Sequence, residues 1–304
     1  MKEYVEFRIN MKYAHLLFKE NEGVNLGDTV KVVRLEKSDP RFPKIGELQK
    51  EARKRFDFFF SCCEYKRIYT KEEIDNAKWF LLTPTRHFEP AGEECGTIYD
   101  ESSACPICGA GAKQLSPLKL KRSSIPRADM AMTIARGDEV VVSERFVEMV
   151  RRNNLTGIDF NPVMGSGKQA RQLNYYQIYP HCYLDFSNKT IFGQDPFNLS
   201  GVYPGGTIEY LRQDGTRYKE VFPVEIYKCP NGDNAGLNIL SEAYMKSDPI
   251  LNGLDFFASR QTVGGRGGVI RQDHLFFCSN RMMNLIKENK LKGFKFEVAH
   301  IVDE

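Results

Sequence analysis

Apolar and polar residues alternate over Val5-Glu6-Phe7-Arg8-Ile9 and Val30-Lys31-Val32-Val33-Arg34-Leu35, the period-two pattern of half-buried strands. Gly23, Gly27 and Asp28 punctuate the chain between them, and residues 47–60 predict a helix running into a Phe-rich strand. Thr70-Lys71-Glu72-Glu73 has the form of a capping box, with Thr70 at the N-cap and Glu73 reaching back to it. Pro84 and Pro90 then interrupt the pattern, and residues 115–120 alternate as a short strand. Val140-Val141-Val142 reads as an apolar strand, Ser143 caps the helix after it, and Phe146, Met149 and Val150 form that helix's apolar stripe. Gly157 stops the helix before a strand at Ile158-Asp159-Phe160. Residues 174–179 alternate with aromatics, residues 207–211 and 217–221 flank the hairpin signal Asp214-Gly215, and residues 224–227 read as a further strand.

The strand, Ser-capped helix, Gly stop and strand return 136 residues later. Ser143 and Arg145 match Ser279 and Arg281, and Asn153, Leu155, Gly157 and Phe160 match Asn289, Leu291, Gly293 and Phe296. The apolar stripe returns as Met282, Leu285 and Ile286, preceded by Phe276-Phe277-Cys278. A spacing this long excludes a solenoid and predicts two related modules, residues 140–163 and 276–299. The serines are explained as N-caps. An arginine at the second helical position is poorly placed for the helix dipole, so Arg145 and Arg281 call for a partner, either a carboxylate inside the fold or a ligand.

Composition narrows the class. The chain has 304 residues, 41% hydrophobic content, 21 Phe, eight Cys and a formal net charge of +3. That is enough apolar material for one large domain or two ordinary ones, and too little net charge to announce nucleic acid or an anionic membrane. Neither a secretory leader nor a membrane-spanning apolar run is visible, and eight Cys in this length is not disulfide density. The expectation is a soluble cytoplasmic protein without a membrane, its cysteines free or metal-bound. Gly165-Ser166-Gly167-Lys168 lacks the remainder of a phosphate-binding loop. His181-Cys182 has no acidic third member at recognisable spacing, and neighbouring Cys62 and Cys63 would point to opposite faces of a strand.

The sharpest chemistry lies in Cys105-Pro106-Ile107-Cys108-Gly109, with Cys95-Gly96 ten residues upstream. Two cysteines three apart with Pro inside and Gly after form a zinc knuckle, whose turn points both sulfurs at one centre. Cys229-Pro230-Asn231-Gly232-Asp233 is the expected source of a fourth ligand, with His87 and Asp233 as alternatives. The predicted centre is therefore a structural Zn site of Cys95, Cys105, Cys108 and Cys229. Arg260, Arg266 and Arg271 around the Gly264-Gly265-Arg266-Gly267-Gly268 segment are candidate partner-binding residues.

These residues resemble bacterial proteins named for a double Cys-x-x-Cys-Gly motif, found in myxobacteria, and relatives similar to immunity proteins of polymorphic toxin systems. The resemblance rests on Cys105 to Gly109, on Cys229-Pro-Asn-Gly-Asp with the later Gly236-Leu-Asn-Ile-Leu-Ser-Glu242, and on Ser-x-Arg followed by Leu-x-Gly-x-x-Phe. It covers residues 90–304. Where the family pattern places His after the Cys-Pro-x-Gly turn, this chain has Asp233. The resemblance implies a small bacterial accessory protein and carries no enzymatic activity.

The expected architecture is α+β with mostly antiparallel sheets, two related strand–helix–strand modules and a structural zinc knuckle. Its regions are an N-terminal α+β part (1–89), a zinc-knuckle part with the first module (90–175), and a β-rich insertion with the second module (176–304). The expected function is non-enzymatic binding of a macromolecular partner, a protein such as a cognate toxin. The alternatives are a nucleic-acid-associated zinc protein and an enzyme whose site is assembled from distant residues.

Overall fold

The computed structural model describes residues 1–55, 57–105, 110–167, 171–193, 195–199, 203–211, 217–224, 232–235, 237–264 and 272–304, with 203–211 and 217–224 described by their backbone. The chain is α+β, about 19% helix and 41% strand, and its sheets are mostly antiparallel. It forms two compact units, one of Met1–Glu73 with Gly193–Ile226, the other of Ile74–Phe192 with Tyr227–Glu304.

The first unit begins with β1 (Lys2–Asn10), α1 (Met11–Ala14), β2 (Val24–Leu26), β3 (Val30–Glu36), α2 (Phe42–Arg53) and β4 (Phe60–Ile68). Its strands make an antiparallel sheet in the order β2-β3-β1-β4. The buried face carries Val5, Phe7 and Ile9 from β1, and Val33 and Leu35 from β3. Ile45 and Ala52 of α2 are buried with them. Gln49, also buried, joins α2 to the start of β4: its Oε1 accepts from the Phe59 and Phe60 N–H groups, and its Nε2 donates to the Phe60 carbonyl at 3.1 Å. The alternation in β3 left open which face was core. The structure buries the face of Lys31, Val33 and Leu35. Cys62 is exposed and Cys63 buried, on opposite faces of β4. The expected capping box forms, with Thr70 N–H donating to Glu73 at 2.7 Å and Glu73 N–H donating to the Thr70 hydroxyl at 3.2 Å. It opens α3 (Lys71–Asn76).

The second unit continues with β5 (Trp79–Pro84), β6 (His87–Phe88), β7 (Tyr99–Asp100), β8 (Lys113–Gln114), β9 (Lys119–Leu120), β10 (Met130–Thr133), β11 (Val140–Ser143), α4 (Glu144–Arg152), β12 (Ile158–Gly165), β13 (Gln172–Pro180), β14 (Tyr183–Leu184) and β15 (Phe192–Gly193). Residues 115–120, expected as one strand, divide at Pro117, and only β9 forms there. The chain then adds the antiparallel hairpin β16 (Tyr203–Leu211) and β17 (Arg217–Val224) to the first unit; its Asp214-Gly215 turn lies outside the described residues. It closes the second unit with β18 (Asn234–Ala235), β19 (Asn238–Ile239), β20 (Ala243–Lys246), β21 (Phe256–Gly264), β22 (Asp273–Ser279), α5 (Asn280–Glu288) and β23 (Phe294–Val302).

Two sheets of the second unit share one plan. The first runs β6-β10-β11-β13-β12-β9, the second β14-β21-β22-β5-β23-β20 with β18 beside β21. In each, the inner four strands are antiparallel and both outer strands join in parallel. The registers also correspond. Tyr175 stands opposite Ser143 and Pro180 opposite Ile158; Trp79 stands opposite Ser279 and Pro84 opposite Phe294. The strands β13 and β5 hold the same place in the two sheets, yet β13 follows β12 in the chain whereas β5 precedes every other strand of the unit.

The predicted stripe is buried in α4, where Val147 joins Phe146, Met149 and Val150; in α5 Met282 and Ile286 are buried with Met283, while Leu285 is half-buried. Each helix lies on its own sheet, but the two also meet, and Phe146 of α4 stacks on Phe294 of β23 at 5.5 Å. After each helix the backbone turns through positive φ at Asn154 and Lys290, then at Gly157 (95°) and Gly293 (103°). A Cβ on Gly157 would lie 2.1 Å from the Phe256 carbonyl oxygen, and one on Gly293 2.2 Å from that of Met130. Each glycine is thus required twice, by its φ and by the first inner strand of the other sheet pressing against it.

Candidate functional site

The recurring Ser and Arg converge on buried carboxylates. Asp129 precedes β10, and its Oδ1 accepts from the Ser143 hydroxyl at 2.7 Å; Asp255 precedes β21 and accepts from the Ser279 hydroxyl at 2.7 Å. Each serine also caps its helix, accepting from Phe146 N–H and Met282 N–H respectively. Arg145 lies 3.4 Å from Asp129 and donates to the Asn289 carbonyl at 3.1 Å; Arg281 lies 3.5 Å from Asp255 and donates to the Asn153 carbonyl at 2.5 Å. The second oxygens of the carboxylates reach across as well. Asp129 accepts from Lys292 N–H at 2.7 Å and Asp255 from Thr156 N–H at 3.3 Å. Each carboxylate therefore ties its own helix start to the helix end of the other segment. Of the two partners open for these arginines, the structure supplies the carboxylate inside the fold. Asp129 and Asp255 escaped the sequence pattern because they precede their serines by unequal intervals, 14 and 24 residues.

The cysteine stretch stands on a polar base. The pair β7–β8 is a stem that brings Asp100 opposite Lys113, and the Cys105 N–H donates to the Ala110 carbonyl at 2.8 Å, closing the chain on either side of residues 106–109. Cys95 sits in the preceding turn, its N–H donating to the Gly92 carbonyl at 3.0 Å. Burial pushes the Cys95 thiol up, against an opposing hydrogen bond from the Lys121 N–H. Glu139, fully buried, holds the stretch in place: it accepts from Gly92 N–H at 2.8 Å, the Tyr99 hydroxyl at 2.6 Å and the Thr133 hydroxyl at 2.8 Å. Burial raises the Glu139 carboxyl despite these three donors. Arg136, 4% exposed, covers the Tyr99 ring at 3.7 Å and pairs with Glu101 at 3.0 Å and Asp138 at 3.3 Å.

Cys108 and Cys229 lie outside the described residues. Among the described residues no three His, Cys, Asp or Glu side chains are placed to hold a metal ion. The flanks of these two cysteines are linked through a short series of contacts. Glu101, next to the β7–β8 stem, pairs with Arg136. The neighbouring Gly137 lies against Asp273, whose Oδ1 would be 1.4 Å from a Cβ at that glycine. Asp273 pairs in register with Val263, and Val263 with Asn234, five residues past Cys229. Of the alternative ligands, His87 is an exposed residue of β6, and Asp233 is buried, its Oδ1 accepting from Thr262 N–H at 2.8 Å and the Thr262 hydroxyl at 2.9 Å.

Of the candidate partner-binding arginines, Arg260 lies 3.2 Å from Asp185 and donates to the Tyr183 carbonyl at 2.9 Å; Arg266 and Arg271 are outside the described residues. His181 meets an acidic neighbour unseen in the sequence, Asp159 at 2.6 Å across the β12–β13 pair, while Cys182 is buried and its thiol pushed up by that burial. A cleft of about 510 Å³ opens beside the stem, lined entirely by uncharged residues, among them Gln114, Leu115, Pro117, Asn161, Pro162 and Tyr179. Among the described residues no helix is long and apolar enough to cross a membrane. Comparison with protein-family models finds no match, and comparison with curated proteins finds none either.

Proposed function

We propose that the chain is a zinc-stabilised bacterial accessory protein of the cytoplasm that binds another protein without catalysing a reaction, in the manner of an immunity protein facing a cognate toxin. In this reading residues 129–165 and 255–302 are two copies of one module. The observation that carries it is the use of the recurring Ser–Arg pair: both copies direct it to an internal carboxylate, so the polar signature they share is architectural. What distinguishes the copies is the segments inserted between their outer strands, and insertions on a rigid frame are where binding is commonly built. One insertion carries Cys95, Cys105 and Cys108, the other Cys229. A zinc bound by these four thiolates would clamp both insertions, and its binding energy would be folding energy for them. The uncharged cleft beside the stem, with Leu115 58% exposed at its rim, suits a protein surface better than a phosphate backbone.

Metal analysis of the purified chain is expected to give one zinc per chain, and none would remove the zinc from the proposal. Cys105→Ser should lose it. For the partner, the products of the adjacent genes are mixed with the chain and followed by calorimetry at low and high salt. A complex that persists at high salt supports a protein interface. Binding of nucleic acid that collapses with salt would replace this reading, and no complex with any neighbouring product would overturn the immunity-like role.

A further inference from the structure

The first unit holds a lysine in an unusual setting. Lys31 is 3% exposed and lies on the core face of β3, directly across β1 from the fully buried Ile9. Its ammonium donates to the main-chain carbonyls of Glu20 and Glu22, each at 2.8 Å. No carboxylate reaches salt-bridge distance of Lys31 among the described residues: the Glu22 side chain is taken by Arg41 at 2.7 Å and by Lys19 N–H at 2.7 Å, and the Glu20 side chain is exposed. A lysine ammonium has three donors, so one remains after both carbonyls. A buried charge with only neutral partners is costly unless a counter-charge joins it.

That ammonium borders a cavity of about 320 Å³, lined by Met11, Ala14, His15, Phe18, Lys19, Glu20, Asn25 and Lys31. Asn25 of β2 stands opposite Lys31 in the strand pair, so its amide shares the lysine's face. Ala14 and Phe18, both buried, form an apolar wall, and His15 and Lys19 stand exposed at the mouth. An apolar wall with a few convergent donors around a buried cation is how small anionic groups are held.

We propose that this cavity is an anion-binding site whose ligand presents a carboxylate or a phosphate group to Lys31, with Asn25 and Lys19 as further donors. The site depends on neither the zinc nor the protein partner proposed above, since every residue in it belongs to the first unit.

The test uses the full chain and two probes, inorganic phosphate and acetate, each titrated against chloride at constant ionic strength. Binding is read from amide shifts of Lys31, Asn25 and Lys19 and from thermal melting. Saturable shifts confined to these residues, with a rise in melting temperature, are expected for at least one probe. A response to phosphate alone identifies a phosphate-bearing ligand, and a response to acetate a carboxylate-bearing one. Lys31→Met keeps the length and apolar stem and should abolish the response; Asn25→Ala, on the exposed edge strand, should weaken it several-fold with the fold intact. If Lys31→Met fails to fold, Asn25→Ala and Lys19→Ala still test the site. Shifts absent for both probes, or unchanged in Asn25→Ala and Lys19→Ala together, would overturn the proposal.

Discussion

The two strand–helix–strand segments of the second unit differ most where they touch. At 136-residue spacing Gly137 corresponds to Asp273, and the two residues lie against each other, so the β10–β11 connection meets the start of β22 there. One side supplies room by having no side chain, and the other fills it with a carboxyl group. Two residues along, buried Glu139 corresponds to half-buried Leu275. Away from this point the segments agree bond for bond, in the serine caps, the arginine contacts and the glycine stops. Strict agreement in the frame with divergence at the junction indicates which residues hold shape and which are free to acquire local roles.

The comparison can be broken most forcefully at the carboxylates. Asp129→Ala or Asp255→Ala should each lower the stability of the second unit by about 3–5 kcal/mol, since each removes the charged acceptor of a serine hydroxyl and of a main-chain N–H. Asp129→Ala should be the worse, because its bond to Lys292 N–H is 2.7 Å against 3.3 Å for the Asp255 bond to Thr156. The single tryptophan, Trp79, lies in β5 against Phe257, so its fluorescence during denaturant unfolding reports on this unit. A loss below about 1 kcal/mol in either variant would refute the carboxylate tie. Gly157→Ala and Gly293→Ala come next, at about 3 kcal/mol each from positive φ and collision with a carbonyl. Similar losses would confirm that the two stops do the same work, and a neutral result at one would separate them.

A smaller effect is expected from pH. Burial, with Asp138 nearby, pushes the Asp273 carboxyl up from its ordinary 3.8 to about 7. Across that interval the folded chain holds a proton that the unfolded chain has released, so this group's contribution to stability falls as pH rises from about 4 to about 7. Asp273→Asn should flatten that slope in midpoints measured at pH 4, 5.5 and 7. An unchanged slope would mean that the carboxyl is not desolvated at the hairpin junction. Least of all, Ser143→Gly and Ser279→Gly should each cost about 1 kcal/mol, chiefly from the lost hydroxyl bond to the aspartate, because glycine is itself a tolerable cap. Equal losses sharpen the comparison; a larger loss at Ser143 would agree with the tighter Asp129 tie.

Local signals in the sequence were read correctly because they are local. Thr70 and Glu73, Ser143, Ser279, Gly157 and Gly293 each act within a turn or two of themselves, and their chemistry appears in consecutive residues. Asp129 and Asp255 were invisible for the opposite reason: a carboxylate that joins two helix ends is defined by distance in space, and the loop between β10 and β11 is shorter than its counterpart. Lys31 stayed unnoticed for another reason. An alternating strand shows two faces, and period two puts Lys31 with Val33 and Leu35, but nothing in Val30-Lys31-Val32-Val33 announces that this face is the buried one. Of the candidate metal ligands, Cys95 and Cys105 are placed on a turn and a stem that Glu139 and Arg136 hold, and no pattern around Cys95 pointed to either.

The exchanged strand β5 has a consequence for how the molecule comes into being. As the chain leaves the ribosome, β5 emerges before any other strand of its unit, yet its neighbours β22 and β23 are the last to be made. Until residue 302 has been synthesised, Trp79, Phe80, Leu81 and Leu82 have no lasting place to go. The first sheet can close once β13 is out, but the second waits until β23 has been made. Pairings this distant make for slow closure and a long-lived apolar strand. A nascent chain halted near residue 250 should therefore expose β5 to chaperones or to protease, and one released in full should hide it.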